Sequence, residues 1–173
     1  MSQAFQPLRK IDDFLAWWEY VSDGTRKIFG ALTDASLKQS VNKDHRTLGR
    51  MAWHLAGSVA EMAGRTGIQL DGPMEADPVP ATAAEILKVY DRVAAALSQQ
   101  IKATWTDETL QQEDDMYGMI WPRGLTLVVL ISHEIHHRAQ MTVLMRQAGL
   151  TVPGVYGPAL EEWKSYGANP PAI

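Results

Sequence analysis

The sequence predicts an all-α chain: a four-helix bundle with long crossover connections and a short helix near the C-terminal end. Three observations carry that prediction. Four stretches of roughly 19–26 residues repeat apolar side chains at helical spacing. Long polar or proline-rich connections separate them. No run alternates apolar and polar side chains over enough positions to build a set of strands. The chain has 173 residues, 46% of them hydrophobic, enough for the core of one domain spanning 1–173.

The first helix is expected from about Asp12 to Leu32, where Phe14, Trp17, Trp18, Val21, Ile28 and Leu32 recur at helical spacing. Gly24 lowers its propensity without ending it. Residues 34–46 are polar and read as a connection. The second helix runs from about Thr47, a suitable N-cap, to Arg65, with Gly64 and Gly67 marking its end. Pro73, Pro78 and Pro80 make residues 71–80 a loop and the best crossover in the chain. Thr82 and Glu85 stand at capping-box spacing and open a third helix that continues to about Trp105. The stretch TDETLQQEDDMYGMIWPRG then reads as an irregular loop with room for one short extended piece. The fourth helix starts near Arg123 and stops at Gly149, a C′ glycine. Turn signals at Pro153-Gly154 and Gly157-Pro158 precede the last short helix. Trp17, Trp18 and Trp53 are expected in the core or at a subunit interface.

Composition removes several function classes. A net charge of −4, without any run of Lys and Arg, argues against a nucleic-acid partner. The absence of cysteine excludes disulfides, thiolate metal ligands and a cysteine nucleophile. No apolar run approaches the ~20 residues needed to span a bilayer. The N-terminal MSQAFQPLRKIDDF carries no apolar signal-peptide segment. The expected location is therefore cytoplasmic, away from membranes.

The informative stretch is ISHEIHHRAQ, residues 131–140, which spells H-E-x-x-H. At roughly 100° per residue, His133 and His137 project from nearly the same face, with Thr126, Val129, Leu130, Gln140 and Leu144. That stripe reads as the core-facing side of the helix. Two histidines in register on it point to a shared metal ion. His136 lies off the stripe. Glu134 is either an i, i+4 partner of Arg138 or a general base. The second helix offers a third ligand, His54, flanked by Met51, Leu55, Ser58 and Met62 on a mostly apolar face. Glu61 follows on nearly the same face, as a carboxylate behind a ligand, a weak catalytic candidate or a rim residue. Three imidazoles would leave a ligand position open, as catalytic sites do. Zinc, nickel, iron and manganese all accept such a set. A zinc metalloprotease would instead take Glu161 or Glu162 as third ligand, but it needs an edge strand for the peptide. His45 is expected in solvent. Tyr117 and Arg123 before the fourth helix, and Tyr156 after it, are candidates for binding substrate, an Arg being suited to the carboxylate of a small thiol. Val128, Ile131, Ile135 and Val143 lie off the stripe and suggest a further packing surface, hence a homodimer.

The segments RTLGRMAWHLAGS (46–58) and HEIHHRAQMTVLMRQAGLTVPGVYGP (133–158) resemble the DinB family of damage-inducible metal-binding proteins. The resemblance implies an up-up-down-down bundle, often a homodimer. It also implies one divalent metal ion held by a histidine of the second helix and an H-x-x-x-H pair of a later helix. His54, His133 and His137 stand at those positions. Where the family usually reads His-Arg-Gly-Gln, this chain has Ala139 in place of the glycine. The wider superfamily includes thiol transferases and a thiol-dependent isomerase. The resemblance therefore implies transfer of a low-molecular-weight thiol to a small electrophile. Metal-assisted hydrolysis of a small substrate and a non-catalytic, metal-binding stress-response role are the alternatives.

Overall fold

Helix formation follows the apolar spacing of the sequence. In the computed structural model, which describes residues 8–172, α1 spans Ile11–Gly30, α2 Leu48–Arg65, α3 Ala83–Thr104 and α4 Arg123–Gln147. The Thr47 hydroxyl caps α2 by accepting from the Arg50 N–H at 3.1 Å. Thr82 does the same for α3 from Glu85 N–H at 3.3 Å; only this half of the expected capping box forms. Gly149, just past α4, has φ of +74°, a left-handed conformation that costs glycine little.

α1 packs on α3 and α4, and α2 packs on the same two helices. α1 and α2 thus lie diagonally opposite, as do α3 and α4, and a long connection joins each pair. The proline-rich stretch at 71–80, expected as the best crossover, instead joins the neighbours α2 and α3. The core is filled by Phe14, Trp18, Val21 and Ile28 of α1, Leu55 and Val59 of α2, Ile86, Tyr90 and Leu97 of α3, and Leu130, Ile131 and Met141 of α4. Trp18 satisfies its indole N–H by donating to the Ala94 carbonyl at 3.1 Å. Trp17, one position earlier, is 38% exposed and stays out of the core. Among the described residues no helix is long and apolar enough to cross a membrane.

Four local expectations need correction. The stretch read as an irregular loop forms a turn of 3₁₀ helix at Asp107–Gln111 and then a hairpin of β1 (Glu113–Met116) and β2 (Met119–Pro122). Its two-residue turn has φ of +60° at Tyr117 and +81° at Gly118, the signs a type I′ turn requires. The pattern was hidden because a tyrosine stands where asparagine or aspartate would signal the turn. The connection at 34–46 contains a 3₁₀ turn, Asp34–Lys38, that buries Ser36 and Leu37. The last helix is one 3₁₀ turn, Trp163–Tyr166.

The fourth correction concerns α4. Its most buried face runs through Leu127, Leu130, Ile131, Glu134, Arg138, Met141 and Met145. Of the stripe expected to face the core, Thr126, Leu130 and Leu144 are buried, but His133, His137 and Val129 are only half-buried and Gln140 is exposed. α4 sits between α1 and α2, so two of its sides are covered, and the histidine side opens on a cavity instead of the core. Of the residues placed off the stripe, Ile131 is fully buried, Val128 and Ile135 are half-buried and Val143 is 56% exposed.

Candidate metal centre

α2 and α4 bring His54, His133 and His137 together. One ring nitrogen from each lies within 4.8 Å of the other two. The Nε2 atoms of His54 and His133 are 3.3 Å apart. A tetrahedral ion with Zn–N bonds of about 2.0–2.1 Å separates its nitrogens by roughly 3.3–3.4 Å, so the donor set fits a small divalent ion. Each ring stands edge-on to the others, with centroids 4.4 to 5.1 Å apart.

Two of the rings are oriented from behind. His54 Nδ1 meets Glu75 Oε2 at 2.7 Å, and His137 Nδ1 meets Gln140 Oε1 at 2.8 Å. With Nδ1 engaged as donor, Nε2 is left as the free lone pair facing the common centre. Glu75 is held in turn by Arg46, whose guanidinium donates to Oε1 at 3.0 Å. Partial burial acts to raise the Glu75 carboxyl, but the His54 hydrogen bond and the charges of His54, Arg46 and Arg50 outweigh it and hold it below its ordinary value. Burial, reinforced by the neighbouring histidines, pushes His133 down to about 4. Burial also lowers His137. The pair on α4 is therefore neutral at pH 7 and can bind a cation without first losing a proton.

Glu75 was not foreseen. It lies in the proline-rich crossover, where no periodicity marks it. The crossover is laid flat on α2 at small residues: Gly72 packs on Ala60, and a Cβ on Gly57 would stand 2.8 Å from the Pro73 carbonyl. That close approach brings Glu75 over His54. Arg46, read as part of a polar connection, and Trp53, expected in the core or an interface, line the same site.

A cavity of about 650 Å³ opens beside His54 and His133, between α2, the crossover, α4 and the hairpin turn. Tyr117 lines it, as does Glu61; the Tyr117 hydroxyl donates to Glu61 Oε2 at 2.5 Å. Glu61 does not join the histidine cluster, and its other oxygen accepts from Arg65 at 2.5 Å. Arg123 is elsewhere: it pairs with Asp114 at 2.8 Å and lies over the Trp105 ring. Tyr156 packs against Tyr20 of α1, the two rings tilted by 54°. Neither lines the cavity. His136 and His45 are exposed, His45 bonding Asn42.

Glu134, the glutamate of H-E-x-x-H, faces away from the cluster. It is 1% exposed and accepts from the Tyr90 hydroxyl of α3 at 2.6 Å. Burial raises its pKa against the opposing hydrogen bonds of Thr25 and Tyr90 and the Arg138 charge. Arg138, 3% exposed, donates to the Val21 carbonyl at 2.6 Å and to Thr25 Oγ1 at 3.2 Å. Glu134, expected as an i, i+4 partner of Arg138 or as a general base, is held by Tyr90 on the core side; successive positions of a helix point some 100° apart, and here that step separates core from cavity. Glu161 is paired with Arg146, and Glu162 accepts from the N–H groups of Gly154 and Ala159, both at 2.9 Å. Those contacts tie Glu161 to the end of α4 and Glu162 to the C-terminal tail, and neither belongs to the histidine group.

The comparisons with known proteins agree with this architecture. Residues 1–171 match the DinB family. The chain belongs to that family. It is 46% identical over 163 residues to the uncharacterized protein YrdA of Bacillus subtilis (strain 168), covering 94% of this chain and 98% of that protein. The crystal structure of a DinB-like protein from Bacillus cereus ATCC 10987 superposes with a TM-score of 0.83 at 42% identity, over 86% of this chain and 99% of that one. A second DinB-like structure, YjoA from Bacillus subtilis, gives a TM-score of 0.67 over 85% of this chain and 99% of that chain; at 14% identity it bears on the fold alone. Within the DinB frame, the three-histidine group is compatible with a metal-binding protein.

Proposed function

We propose that this DinB-family chain is a divalent-metal-dependent enzyme that transfers a low-molecular-weight thiol to a small electrophile, with one ion held by His54, His133 and His137. The observation that carries the reading is the convergence of three ring nitrogens, two of them on rings that line a cavity large enough for a small molecule. An ion there, zinc or nickel first and iron or manganese next, supplies a Lewis acid that lowers the pKa of a thiol or water reaching it. The thiol itself comes from the cosubstrate, since the chain has no cysteine.

The chain's own residues have definite tasks. Glu75 and Gln140 fix the orientation of His54 and His137. Tyr117 and Glu61 bound the far end of the cavity. Ser58 Oγ, 3.4 Å from His54 Nε2, is a hydroxyl beside the reacting centre. Glu134 plays no part in proton transfer, because it is buried against Tyr90. A closed structural clamp is disfavoured by the engagement of Glu61 with Tyr117 and Arg65, which leaves no fourth protein ligand among the described residues.

The test is metal content per chain for the wild type, His54→Ala and the double variant Glu161→Ala/Glu162→Ala, followed by turnover of small thiols with an electrophile. The expected result is one ion in the wild type and in the glutamate variant and none in His54→Ala, with thiol consumption only where the ion is present. Metal loss only in the glutamate variant would restore the protease. Metal without thiol consumption, but with ester or amide cleavage, would establish hydrolysis. The chain is further proposed to be a homodimer; a monomeric mass by light scattering at micromolar concentration would refute that.

A further inference from the structure

The wall of the cavity is mostly hydrocarbon: Trp53 and Met62 of α2, Leu70 and Met74 of the crossover, Val129 of α4. Three ionisable side chains other than the histidines and Tyr117 line it, and each has its counter-charge beside it. Arg46 is 3.0 Å from Glu75. Glu61 is 2.5 Å from Arg65. The Tyr117 hydroxyl donates to that same Glu61 carboxylate, and Tyr117, pushed up to about 12 by burial and Glu61, stays neutral. The wall therefore presents no unpaired charge to an occupant. A charged group placed against it, away from the ion, would lose water without gaining a partner. An uncharged apolar body would gain from the same desolvation.

The far end is set by Tyr117, the one non-glycine with positive φ among the described residues. Tyrosine is a poor residue for that conformation, and what keeps the ring there is contact with the cavity rim: Arg65 stacks 4.1 Å from its centroid, and the hydroxyl reaches Glu61. From His54 to Glu61 is about two turns of α2, roughly 10 Å along the helix axis.

From these features we infer that the cavity takes a small molecule with a metal-coordinating head group and an uncharged, predominantly apolar body extending about 10 Å towards Tyr117. The inference rests on the metal reading above and narrows its substrate class. It disfavours substrates that carry carboxylates or ammonium groups along the body.

The probes are alkyl hydroxamates, whose head groups coordinate zinc, titrated calorimetrically into the zinc-loaded full chain. Hexanohydroxamate is expected to bind at least tenfold tighter than acetohydroxamate, and the monohydroxamate of adipic acid, which ends in a carboxylate, no tighter than acetohydroxamate. Val129→Thr, close to isosteric, should shrink the hexano-to-aceto ratio with zinc content and helicity unchanged. Equal affinities across the series, or tightest binding by the carboxylate-tailed probe, would overturn the inference while leaving the metal centre intact. A chain that fails to hold zinc at all would overturn both.

Discussion

Glu75 provides the sharpest test of how the fold prepares the metal centre. Its carboxylate accepts from His54 Nδ1 at 2.7 Å and is steadied by Arg46 at 3.0 Å. Removing the carboxylate that orients a ligating imidazole typically costs 10–100-fold in metal affinity, about 1.4–2.7 kcal/mol. The Glu75 side chain is 57% exposed, so water can partly replace it, and Glu75→Ala should fall in the lower half of that range. Glu75→Gln keeps an acceptor for Nδ1–H but loses the charge, and its loss should be smaller, about threefold to tenfold. Arg46→Ala removes only the exposed pair to Glu75, worth at most ~1 kcal/mol. The assay is competition for zinc against a chromogenic chelator, with the visible spectrum of the cobalt-substituted protein reporting ligand geometry. Helicity and the urea midpoint should not move, because Glu75 buries little. Affinity of Glu75→Ala within twofold of the wild type, alongside a complete loss in His54→Ala, would show that the crossover carboxylate does not position the ligand.

Three further outcomes follow from the same structure. His133 accepts a proton near 6.5 in the unfolded chain but only at about 4 in the fold. The unfolded state is therefore protonated first on acidification, and the metal-free protein should be most stable above 6.5 and lose stability as pH falls towards 4; the urea midpoint across that window should decline less in His133→Gln, and an equal decline would refute the assignment. Tyr90→Phe strips Glu134 of its buried donor, so thermodynamic stability by urea unfolding should drop by about 1–3 kcal/mol with zinc affinity unchanged; a neutral effect would contradict the buried network. Gly24→Ala should destabilise despite the ~1 kcal/mol helix-propensity gain, because the new Cβ would meet Val155 and lie 2.8 Å from Arg138 Nη1; a raised urea midpoint would mean that the guanidinium yields.

The sequence by itself determined the four helices, their caps at Thr47 and Thr82, the proline-rich loop at 71–80 and the identity of the three converging histidines. These are local features or periodic ones: apolar spacing sets a helix face, and an i, i+4 pair lies on one side of a helix whatever packs against it. The tertiary structure alone decided which side of α4 is core. His133 and Glu134 are neighbours in sequence, yet α1 and α3 claim the side that carries Glu134 and Arg138, while α2 shares the histidine side across a cavity. The same holds for Glu75, a lone acid among prolines until Gly57 lets the crossover lie against α2 and carries it to His54. It holds for Arg123 and Tyr156, near the metal helix in sequence but turned to Asp114 and Tyr20. Periodicity along one helix specifies angles about its own axis; which of those angles meets hydrocarbon, a carboxylate or open space depends on side chains from other helices, and those are brought near only when the bundle closes.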